Sequence, residues 1–86
     1  MNLHATPITI IRLSSVLKAT AVSKATLYKQ IQAGHFPKPI SLGARSVGWV
    51  SSEVQEVLKA RVKGLDDDKL SSLVSDIHQK RAEINR

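Results

Sequence analysis

Apolar positions along the chain change period several times, and each change marks an element. Ile8-Thr9-Ile10-Ile11 is β-branched and alternates at 8 and 10, which predicts a short strand after Pro7. Leu13, Val16 and Leu17 then fall at i, i+3 and i+4, predicting a short helix over about Ser14–Ala19 with Ser14 as its N-cap. Thr20-Ala21-Val22 is a tight break. Ser23 caps a second predicted helix, about Lys24–Ala33, which Gly34 ends as a left-handed C-terminal residue. Two short helices joined by about three residues give the spacing of a helix-turn-helix.

Beyond Gly34 the pattern turns to β. Pro37 and Pro39 forbid helix. Ile40-Ser41-Leu42 and Val47-Gly48-Trp49-Val50 alternate on either side of Gly43-Ala44-Arg45-Ser46, predicting a hairpin with a four-residue loop. Ser51 or Ser52 should cap a third helix, with Ser52 and Gln55 forming a capping box. Val54, Val57, Leu58 and Val62 would be its buried stripe, and Gly64 its end. Asp66 caps a last helix of about Asp67–Asn85, with Leu65 and Leu70 placed as a hydrophobic staple. Leu70, Leu73, Val74, Ile77 and Ile84 line one side of that helix, interrupted by Lys80 and Arg81.

Two arrangements can bury this stripe. The short Lys63-Gly64-Leu65 turn favours return onto the preceding helix for Leu70 to Ile77. The seven-residue spacing of Leu70, Ile77 and Ile84 suits pairing with a second copy. The fold class is therefore α+β, mostly α. Met1–Pro7 carries no pattern and reads as a flexible arm, residues 8–63 as the main domain, and 64–86 as an added C-terminal helix.

Charge sharpens the functional reading. The net charge is +6 over 86 residues. Arg12, Lys18, Lys24, Lys29, Lys38 and Arg45 stand in the first 52 positions, which hold no Asp or Glu; the remaining residues balance seven basic against seven acidic groups. A surface kept free of carboxylates suits a polyanionic partner. On a helical wheel, Leu27 and Ile31 face inward while Ala25, Tyr28, Lys29 and Gln32 face outward, flanked by Lys24 and Thr26. Lys can donate to guanine, Gln can pair with adenine, and Tyr and Thr hydroxyls can reach phosphate, so this face fits a DNA major groove. Arg45, at the hairpin tip, is placed for phosphates or the minor groove.

Other chemistry finds little support. The chain has no cysteine, which excludes disulfides, thiolate metal sites and cysteine nucleophiles. His4, His35 and His78 are scattered without metal-binding spacing, and Asp66-Asp67-Asp68 reads as helix capping. With only Tyr28, Phe36 and Trp49 as aromatics, Phe36 and Trp49 belong in the core rather than on a base-stacking surface. No enzyme activity, metal or cofactor is expected. Nor is a membrane span, and the expected location is the cytoplasm.

The runs Arg12-Leu13-Ser14-Ser15-Val16-Leu17, Ser23-Lys24-Ala25-Thr26-Leu27-Tyr28-Lys29 and Gly34-His35-Phe36-Pro37-Lys38-Pro39 resemble the AlpA family of prophage and genomic-island regulators. So does Leu42-Gly43-Ala44-Arg45-Ser46-Val47-Gly48-Trp49 followed by Ser52-Glu53-Val54. The resemblance covers about Ile10 to Val62. It implies a MerR-like winged helix-turn-helix related to excisionases, with Ser23 to Gln32 as recognition helix and Gly43 to Ser46 as wing. DNA contacts would then come from Ser23, Lys24, Ala25, Thr26, Tyr28, Lys29, Gln32, Arg45 and Ser46. The implied role is transcriptional regulation of a mobile element or recombination directionality on duplex DNA. Duplex DNA is the implied partner. A homodimer on DNA, expected from the last helix rather than from the resemblance, and integrase or the transcription machinery are the further partners expected. The alternative is an interaction module that recruits integrase, with DNA binding secondary. Two positions depart from the family: Ala21 stands where the turn usually has Gly, and Val57 where the third helix often has Trp. The second departure costs core volume that the added helix is placed to restore.

Overall fold

The computed structural model describes residues 8–84. The expected arm, residues 1–7, and the end of the last helix at Asn85 lie outside them. Four helices and a small antiparallel sheet follow in the order β1 (Ile10–Ile11), α1 (Leu13–Thr20), α2 (Lys24–Gln32), β2 (Ile40–Ser41), β3 (Val47–Val50), α3 (Ser51–Val62) and α4 (Asp67–Ile84). This is an α+β chain, mostly helical, with the layout of a winged helix-turn-helix.

The first strand is shorter than its β-branched run, and it completes the wing. Strand order is β1-β3-β2, with Ile10 opposite Val50, Ile11 opposite Trp49 and Ile40 opposite Gly48. Gly48 lies where the strands crowd. A Cβ there would stand 2.5 Å from Ile10 Cγ2, 3.0 Å from Leu42 Cδ1 and 3.2 Å from the Ile11 carbonyl oxygen. Trp49, its neighbour, points the opposite way into the core, fully buried, and its indole N–H donates to the Pro37 carbonyl at 3.0 Å. Phe36 is buried beside it, with the Arg61 guanidinium 5.8 Å from the ring centroid. Arg61 Nη2 also donates to Gln30 Oε1 at 2.7 Å, tying α3 to α2.

Helix starts differ from the sequence expectation in two places. α1 begins at Leu13 with Arg12 as N-cap, so Ser14 lies inside the first turn. α3 begins at Ser51 directly from β3, with Val50 as N-cap and no capping side chain. Neither Ser51 nor Ser52 caps it, because both already lie within its first turn; the Ser51 N–H is satisfied by the Thr9 carbonyl at 2.8 Å. α2 keeps its expected cap, Ser23 Oγ accepting from the Thr26 N–H at 3.2 Å. Asp66 Oδ1 likewise accepts from the Lys69 N–H at 2.9 Å. Gly34 and Gly64 close α2 and α3 in the left-handed region at φ 82° and 81°. At the end of α2 the His35 N–H donates to the Gln30 carbonyl and the Gly34 N–H to that of Ile31. At the end of α3 the Leu65 N–H donates to the Ala60 carbonyl and the Gly64 N–H to that of Arg61, so each end has the paired closing bonds of a Schellman motif.

The buried face of α3 is rotated from the expected stripe. Glu53, Val54, Val57 and Ala60 are buried, Leu58 is half-buried, and Val62 is 89% exposed. The cause is α4, which folds back along α3. Leu70, Val74 and Ile77 join the core at spacings of four and three residues. Arg81 continues that stripe rather than interrupting it. Its Nε donates to Glu53 Oε2 at 3.0 Å and its Nη2 to Glu53 Oε1 at 2.6 Å. The same Nη2 donates to the Lys38 carbonyl at 2.9 Å. Val57 is fully buried in the one cluster with Leu70, Val74 and Ile77. With Leu70 and Ile77 spent on this packing, they are closed to any pairing with a second copy. Ile84 stays 63% exposed.

Candidate nucleic-acid interface

The two helices of the helix-turn-helix are set by their break. Ala21 closes α1 at φ 59°, ψ 30°, and its N–H donates to the Leu17 carbonyl at 2.9 Å. Ala thus occupies the left-handed turn position where a Cβ is disfavoured. Thr20 Oγ1 reinforces this end by donating to the Val16 carbonyl at 2.8 Å. Val16 and Leu27, both fully buried, hold α1 and α2 in the same core.

On the other side, the hairpin tip turns through two left-handed residues, Gly43 at φ 102° and Ala44 at φ 46°. Ser46 N–H donates to the Gly43 carbonyl at 2.9 Å, and the Leu42 N–H to the Ser46 carbonyl at 2.8 Å. This closed turn leaves Arg45 exposed at the tip.

Between the tip, α2 and the start of α1 runs an open groove of about 680 Å³, lined by Arg12, Leu13, Ser14, Lys24, Tyr28, Arg45 and Val47. Three of the residues expected from sequence, Lys24, Tyr28 and Arg45, meet here. Three cationic side chains line the groove and no carboxylate does. Ala25, Lys29 and Gln32 are exposed on the outward side of α2 and do not line it. Ser23 and Thr26 are occupied with each other: besides the cap, the Ser23 hydroxyl donates to Thr26 Oγ1 at 3.0 Å. Ser46 is half-buried and serves the turn through its backbone.

Arg12 and Ser14 were not among the expected contacts. The signal was present: Arg12 is one of the six cations of the acid-free half. Its position one residue before α1, opposite the wing, emerges only when β1 pairs with β3. Among the described residues, no three His, Asp or Glu side chains gather as a metal site, and no helix is long and apolar enough to cross a membrane.

Residues 9–62 match the family model described as Prophage CP4-57 regulatory protein (AlpA). The chain belongs to the AlpA family. Among its relatives is the ORF88 protein of Enterobacteria phage P4, 35% identical over 54 residues that make up 63% of this chain and 61% of the phage protein. Another is the DNA-binding transcriptional activator AlpA of Escherichia coli (strain K12), 37% identical over 60 residues, 63% of this chain and 86% of that protein. The chain thus spans less than two thirds of the phage relative. The AlpA match takes in the groove, the wing and α3 and stops at Val62, so α4 with its Arg81 anchor lies beyond the matched region.

Proposed function

We propose that this AlpA-family chain is a sequence-specific regulator that binds duplex DNA, with α2 in the major groove and the wing on the adjacent backbone. The observation that carries this reading is the groove that gathers Arg12, Lys24, Tyr28 and Arg45 without a carboxylate. Lysine and arginine so placed neutralise phosphates on the wing side of an inserted helix, while Ala25, Lys29 and Gln32 are free to meet base edges. Residues 8–63 form the DNA-reading unit in this account, and α4 braces it through Glu53.

Control of a mobile element's genes in the cytoplasm is the role that follows, and recombination directionality is its variant. The K12 relative named as a transcriptional activator supports the first. Recruitment of integrase through the α4 stripe has less support, since Leu70, Val74 and Ile77 are buried within the chain.

Selection from a randomised duplex library tests the reading. One enriched motif is expected, and Lys29→Ala should relax preference at one position, weakening the selected site by ~1–3 kcal/mol. Enrichment of no motif removes sequence-specific recognition.

A further inference from the structure

Four of the large exposed apolar side chains, Ile8, Ile10, Leu42 and Ile84, are 61%, 38%, 43% and 63% exposed, and they gather on one side of the molecule. The sheet register explains why. Trp49 and Ile11, opposite each other, point into the core, so Ile10, Val50, Ile40 and Gly48 point outward. Ile10 and Leu42 close over Gly48, where a Cβ would touch both. The end of α4 borders this outer face. Two adjoining depressions result, of about 310 and 170 Å³, which share Ile8, Val50 and Ile84.

An outer sheet face ordinarily alternates to polar residues. Here it is aliphatic throughout, and no described element covers it. Its charged rim is Glu53, Glu56, Lys80 and Arg81, two acids against two bases, whereas the groove beneath the wing carries three cations and no acid.

We infer that this outer wing face is a contact surface for a second copy of the chain, engaged when two copies sit side by side on DNA. Charge selects the occupant. A chain of net charge +6 repels its own copy over most approaches, but this face is neutral and can meet its like without that repulsion. Size sets the condition. Six partly exposed aliphatic side chains supply less than the roughly 800 Å² that each partner gives a stable interface, so pairing is weak between free molecules. Tethering to one duplex raises the local concentration to the millimolar range, where a weak contact becomes effective. The face lies on the opposite side of the wing from the groove, so both can be engaged together.

The second half of this inference rests on the DNA reading, so the test separates them. Sedimentation of the free protein at millimolar concentration should show weak self-association, reduced about tenfold or more by Ile8→Glu and by Ile84→Glu. Both sites are already mostly exposed and tolerate a charge, which circular dichroism checks. Titration of a duplex long enough for one copy should be the same for wild type and variants. A duplex long enough for several copies should fill cooperatively for the wild type and independently for the variants. Failure to bind the short duplex sinks the DNA reading, and the sedimentation result then decides the surface alone. A wild type that stays monomeric and fills the long duplex without cooperativity overturns the inference. If trimming residues 1–7 then brings on self-association, the occupant is the chain's own N-terminal segment; if it does not, the surface serves a different protein.

Discussion

Arg81 Nη2 stands 2.6 Å from Glu53 Oε1, across 28 residues of sequence, and both side chains are largely buried, 17% and 12% exposed. This pairing fixes the end of α4 against the start of α3. The guanidinium spans both carboxylate oxygens and the Lys38 carbonyl, so the three segments below the wing are held at one point. Without it, Glu53 would be a buried carboxylate on the core face of α3, a costly placement.

Arg81→Ala should therefore destabilise the fold by about 3 kcal/mol, as expected when one partner of a buried pair is removed. Glu53→Gln with Arg81→Met should recover part of that loss, because no charge is left unpaired. Urea denaturation of the three proteins measures this. A change below about 0.5 kcal/mol for Arg81→Ala, the size typical of an exposed ion pair, contradicts the bracing role.

Gly48→Ala places a methyl group within 3.2 Å of the Ile11 carbonyl oxygen as well as against Ile10 and Leu42. Side chains can move aside, but the paired backbone of β1 cannot do so cheaply. The expected cost is about 1–3 kcal/mol, the scale of overpacking, read as a lowered thermal midpoint. Trp49→Ala empties the largest buried site and should cost ~3–5 kcal/mol. A folded Trp49→Ala variant that is impaired only in DNA binding would place the indole on the wrong side.

His78 supplies a pH dependence. Its Nε2 accepts the Lys38 N–H at 3.2 Å, which requires the neutral ring at that nitrogen. Burial lowers its pKa below the ordinary histidine value, Arg81 and Lys38 push the same way, and Glu53 opposes them. The unfolded chain thus binds the proton more readily than the folded one. The contribution is complete above the unfolded value of about 6.5 and is lost as pH falls through the lower folded value. Urea midpoints of wild type and His78→Ala should differ more at pH 8 than at pH 5. An equal difference at both removes His78 as the cause.

Much of this arrangement was legible in local pattern. The Ser23 cap, the glycines after α2 and α3, the Asp66 cap and the buried Trp49 and Phe36 follow from residue chemistry within a few positions. The rotated face of α3 did not. Glu53 and Arg81 look like surface charges until α4 returns and makes them partners, and only then does Val62 fall outside the core. The candidate interface divides the same way. Lys24, Tyr28 and Arg45 could be chosen from periodicity and charge. Arg12 joins them through the long-range pairing of β1 with β3, which a two-residue strand barely announces.

A groove between α2 and the wing that holds DNA backbone must show itself in the salt dependence of duplex affinity. Measuring that dependence for wild type, Arg12→Ala and Arg45→Ala is the most direct test. Removal of one phosphate-neutralising arginine should lower the slope of log K against log salt by about 0.9 and weaken binding on all sequences alike. Arg12→Ala is the sharper case, since only the folded structure sets it beside Arg45. Folded variants that keep both the wild-type affinity and the wild-type slope contradict DNA binding in this groove.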